Sequence, residues 1–108
     1  MNNFTIVYRI LKALEASMDS DEFDADAISA ERLKITENRR DKLLIQLLNA
    51  GYIENLYVKK YVDEVFPTVQ ILPDTTITLK GLEYLEENSL MSKAKDFIKE
   101  AKDFIPGL

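Results

Sequence analysis

The chain has 108 residues, 46% hydrophobic and 31% charged, with a formal charge of −5; this is the profile of one globular domain, residues 1–108, large enough to bury its own core. It contains no Cys and no His, which excludes disulfides, thiolate and imidazole metal sites, and the catalytic triads built on those groups. No run approaches the roughly 18 apolar residues of a membrane span, and Met1-Asn2-Asn3-Phe4 enters a polar-interrupted pattern with no apolar leader, so the expectation is a cytoplasmic protein without membrane association.

Phe4, Val7, Ile10, Leu11 and Leu14 recur at three and four residues, the stripe of a first helix from about residue 3 to 17. Met18 to Phe23 has no periodicity and reads as a loop, after which Asp24 can cap a short second helix with Ala27, Ile28 and Leu33 on one side. Thr36 is a good N-cap for a third helix ending at Asn49 or Ala50, since Gly51 supplies the left-handed residue that helix C-termini favour. Its buried face is Leu43, Leu44, Leu47 and Leu48.

Strand formers follow at Tyr52-Ile53, Leu56-Tyr57-Val58 and Thr68 to Leu72, either side of a break at Asp63 to Pro67, which together predict a hairpin ended by Pro73-Asp74. Thr78 can cap a fourth helix with Leu79, Leu82 and Leu85 inward. Ser89 or Ser92 caps a fifth, striped by Leu90, Ala94, Phe97, Ile98, Ala101 and Ile105. That stripe can pair with a second subunit, giving a homodimer, or pack on the first helix of its own chain.

Three helices followed by a β-hairpin is the order of a winged helix-turn-helix: an α+β, mainly α fold with a three-helix core, a hairpin wing and, here, two C-terminal helices. Gly51-Tyr52-Ile53 resembles the exit from a recognition helix into a wing, and Ile77 to Leu85 resembles the segment that follows the wing in bacterial winged-helix regulators. With the Ser92-Lys93-Ala94 tail, the whole chain is similar to the YjcQ family, small winged-helix proteins of Gram-positive bacteria and their phages. The resemblance implies a bacterial or prophage setting and carries over no catalytic or binding residue.

Chemistry-bearing motifs are scarce. The three glycines, Gly51, Gly81 and Gly107, form no phosphate-cradling loop. A calcium loop starting at Asp19 would put Phe23 at a ligand position, Asp24 at the obligatory glycine and Ala30 at the closing glutamate. Adjacent pairs such as Asp63-Glu64 and Glu86-Glu87 diverge rather than converge on a substrate. Ser92-Lys93 suits a helix cap better than a nucleophile and its base. The expectation is a protein with no enzymatic activity, no metal and no cofactor.

Charge is unevenly spread. Residues 19–31 carry net −6 and residues 32–42 net +3. At about 100° per residue, Asn38, Arg39, Lys42, Gln46 and Asn49 fall on the side of the third helix away from its leucines, whereas Arg40 turns towards the core. Arg and Lys suit guanine edges and phosphates, and Asn and Gln suit adenine. Lys59, Lys60 and Tyr61 on the wing are placed for backbone or minor-groove contact. The leading expectation is therefore a regulator that binds double-stranded DNA. The alternative is a winged-helix module that engages a protein partner through its acidic surface or last helix.

Overall fold

The computed structural model describes residues 2–89. Helix α1 spans Asn3–Ala16 and begins where the Asn2 side chain accepts the Thr5 N–H at 2.8 Å. Its buried line is Ile6, Ile10, Leu11 and Leu14. Phe4, expected inside, is 75% exposed. It lies in the first turn and roughly 95° from the centre of that line, at a corner the core does not reach.

The chain leaves α1 through a 3₁₀ turn at Ser17–Asp19, and the segment read as a plain loop then buries Phe23, whose N–H donates to the Pro73 carbonyl at 2.8 Å. The single short helix expected next is two pieces. Asp24 caps a 3₁₀ turn at Ala25–Ile28, and Ser29, extended at φ −64 and ψ 153, caps a separate helix α2 at Ala30–Leu33. The Ser29 hydroxyl competes with the helical ladder for the Arg32 N–H, and the break falls there. Ile28 and Leu33 still face the core and Ala27 is half-buried.

Helix α3, Glu37–Asn49, is capped by the Thr36 hydroxyl on the Arg39 N–H at 3.1 Å. Gly51 ends it at φ +84, with Gly51 N–H donating to Leu48 O and Tyr52 N–H to Leu47 O. That is the paired closure of a Schellman motif, which a residue with a Cβ adopts only under strain. Leu44 and Leu47 are buried and Leu43 and Leu48 half-buried.

Strands β1, Ile53–Lys59, and β2, Thr68–Ile77, pair antiparallel. Pro73-Asp74 interrupts this ladder without ending it. Leu56 pairs with Ile71 while Glu54 pairs with Thr76, so Asn55 alone stands opposite residues 72–75. Pro73 has no N–H to give the ladder. The buried Thr75 hydroxyl spans the interruption, accepting from Leu72 N–H at 2.9 Å and donating to Asn55 O at 2.8 Å. Asn55 takes a left-handed φ of 64, and its amide donates to Asp74 O.

Helix α4 covers residues 79–89. The inward line is Gly81 and Leu85, with Leu82 half-buried beside it. Leu79, expected inward, is 81% exposed because it sits about 160° around the helix from Gly81. One hydrophobic core joins the α1 line to Phe23, Ile28, Leu33, Leu44, Leu47, Ile53, Leu56, Ile77 and Leu85. The described chain is thus α+β and mainly helical, with one two-stranded antiparallel sheet. No helix among the described residues is long and apolar enough to cross a membrane. The fifth helix and its stripe from Leu90 to Ile105 lie outside the described residues.

Candidate nucleic-acid interface

Because α3 buries Leu44 and Leu47 in the core it shares with α1 and the sheet, its opposite side is left to solvent. Asn38, Arg39, Lys42, Gln46 and Asn49 are all exposed there. The first four line one shallow depression of about 380 Å³, closed by Asn3, Thr36 and Leu43. Asn49, near the C-terminal end of α3, does not border it. A second depression next to it is lined by Lys34, Ile35, Thr36 and Arg39. Lys34, held at φ 58 just past α2, thus adds a cation beside Arg39 that periodicity does not single out.

Among the described residues, neither Arg39 nor Lys42 takes part in an ion pair. Arg40 behaves differently. It turns inward, with 18% of its side chain exposed, and both Nε and Nη2 bond Asp41 Oδ1 at 3.1 and 3.0 Å. The helix therefore sequesters one cation and presents the others.

The hairpin adds a second group. Lys59, Lys60 and Tyr61 are exposed, and the Lys59 ammonium lies 4.5 Å from the centre of the Tyr61 ring. Beyond them, Glu64 N–H donates to Tyr61 O at 3.1 Å and closes a turn at the hairpin tip. Phe66 then comes back towards α3, where the Lys42 ammonium sits 4.7 Å from its ring centre. This cation–π contact is how the hairpin loop meets the polar face of the helix. The sequence places Phe66 only within a turn break, and nothing local to it signals a partner on α3.

A family model described as YjcQ protein matches residues 8–104. The chain belongs to the YjcQ family. It is 32% identical over 106 residues to Uncharacterized protein YjcQ of Bacillus subtilis (strain 168), a match that covers 97% of this chain and 99% of that one. No solved structure matches the chain significantly. Within this YjcQ-family chain the described acidic residues make no cluster of three or more suited to a metal ion.

Proposed function

We propose that this YjcQ-family protein is a winged-helix, DNA-binding regulator of bacterial or prophage origin, with α3 as recognition helix and the β1–β2 hairpin as wing. The observation that carries the reading is the shared exposure of Asn38, Arg39, Lys42 and Gln46 along one depression of α3, with no ion pair among the described residues to occupy Arg39 or Lys42. Those four side chains include donors and acceptors for base edges and two cations for phosphates. Lys59 and Lys60 flank the groove-facing helix as candidates for the neighbouring backbone. A net charge of −5 keeps non-specific binding weak, so specificity has to come from the local positive face.

A protein-interaction module is the second reading, favoured by a separate observation. The hairpin tip exposes Val62, Val65 and Phe66 next to Asp63 and Glu64, a surface that phosphate would repel. Selection from a random or source-genome DNA pool at low salt separates the two. Enrichment of a sequence that Arg39→Ala with Lys42→Ala abolishes supports the DNA reading. A pool that enriches nothing, with binding unaltered by those changes, favours the protein partner.

A further inference from the structure

The outer half of the hairpin exposes a run of apolar side chains. Val62 is fully exposed, Val65 is 79% and Phe66 55% exposed. Patches of this kind, rimmed by charge, mark contact surfaces for other proteins. The rim here has a particular order. Lys59-Lys60 precede Tyr61-Val62, and Asp63-Glu64 follow them, so reversing the chain direction replaces every charge by its opposite. The outer members are engaged within the chain: Lys59 on the Tyr61 ring, and Glu64 facing the Thr68 hydroxyl at 3.5 Å. The inner members, Lys60 and Asp63, are exposed and in no ion pair among the described residues.

We propose that the hairpin tip is a self-association surface, in which Val62, Val65 and Phe66 of two copies pack about a twofold axis and Lys60 of each copy faces Asp63 of the other. A twofold contact must be self-complementary, and this charge order meets that condition without any second patch. The inference rests on the chemistry of the tip and not on DNA binding; of the two candidates proposed for the DNA backbone, it gives Lys60 to the second copy and keeps Lys59 as the candidate. The patch is smaller than the roughly 20–30 residues a side of a standard interface, so the dimer is weak and reversible.

Sedimentation equilibrium of the full chain without DNA, in a series reaching millimolar protein, tests it. Wild type shows a concentration-dependent monomer–dimer equilibrium. Lys60→Glu alone opposes two carboxylates at each of the two symmetry-related contacts, and Asp63→Lys alone opposes two ammonium groups there, so each weakens association about tenfold or more. An equimolar mixture of the two variants recovers association, because a mixed dimer sets the new carboxylate against the native Asp63 position now carrying an ammonium. The double variant, with both charges exchanged, dimerises as wild type does. Val62→Ser with Val65→Ser, the two most exposed apolar side chains of the tip, also weakens the dimer while leaving the circular dichroism spectrum unchanged. A wild type that stays monomeric overturns the proposal. So do single variants that associate as wild type, or a double variant no better than either single one. The sedimentation series contains no DNA and the DNA selection compares wild type with Arg39→Ala and Lys42→Ala, so failure of one proposal is distinguishable from failure of the other.

Discussion

The hydroxyl of Thr78 donates to the carbonyl oxygen of Gly51 at 2.6 Å and accepts the N–H of Gly81 at 3.1 Å. One side chain thereby caps α4 and ties it to the end of α3. Lys80 reinforces the joint, its ammonium bonding Ala50 O at 2.9 Å and lying 5.2 Å from the centre of the Tyr52 ring. Thr78→Ala is therefore expected to lower stability by about 0.5–2 kcal/mol, the range for loss of a helix cap, whereas Thr78→Ser retains most of it. Urea unfolding midpoints of the three proteins measure this; equal midpoints for Ala and wild type contradict it.

Gly81 occupies the inward line of α4 for a steric reason. A Cβ there would run into the Tyr52 carbonyl oxygen and stand 2.5 Å from Ile77 Cγ1. Ordinary helix propensity favours Ala over Gly by about 1 kcal/mol, but overpacking costs about 1–3 kcal/mol and the obstructing oxygen is backbone. Gly81→Ala is expected to destabilise the protein by up to about 2 kcal/mol on balance. A Gly81→Ala protein more stable than wild type in urea would mean that α4 shifts freely over Tyr52.

What the sequence conveys is divided by the range of the forces involved. Thr36 and Gly51 act on backbone groups within three residues, so the α3 boundaries are legible from the local sequence. The polar face of α3 is legible too, because exposure follows from the helical period once Leu44 and Leu47 are inside. The roles of Ser29 and Thr75 are not, for a different reason: each side chain replaces a backbone partner, and which partner it replaces depends on the surrounding fold. Leu79 and Phe4 fit a three- and four-residue pattern, but the core selects the Gly81–Leu85 line of α4 and the Ile6–Leu14 line of α1, which lie around the helix from them. The contact between Lys42 and Phe66 exists only because the hairpin loop lies back on α3, a long-range fact with no local signature.

Tyr84 gives a pH dependence. Burial, and secondarily the nearby Tyr52 ring 5.4 Å away, push its phenol above the usual tyrosine value. Above about pH 10 the unfolded chain gives up this proton more readily than the folded one. The contribution is thus complete below the ordinary tyrosine pKa and is lost as pH rises through the folded value. Tyr84→Phe is expected to flatten the decline of unfolding free energy on the alkaline side relative to wild type. Identical alkaline profiles for the two proteins would show that Tyr84 is not the group responsible.

If α3 and the hairpin bind DNA as proposed, two kinds of loss are set apart. Gln46 and Arg39 border the same depression, and both side chains are of the types that bond base edges. Gln46→Ala or Arg39→Ala is expected to cost about 1–3 kcal/mol on a selected site and to flatten the difference between that site and unrelated DNA. Lys59 is on the hairpin, where its ammonium, resting on Tyr61, can meet a phosphate. Phosphates carry no base information, so Lys59→Ala should weaken all sequences alike and reduce the slope of log K against log salt by about 0.9. Titrations on selected and scrambled duplexes across a salt series give both quantities at once. If Gln46→Ala lowers affinity equally on both duplexes, or Lys59→Ala leaves the salt slope unchanged while abolishing preference, the assignment of α3 to base reading and of the hairpin to the backbone is reversed.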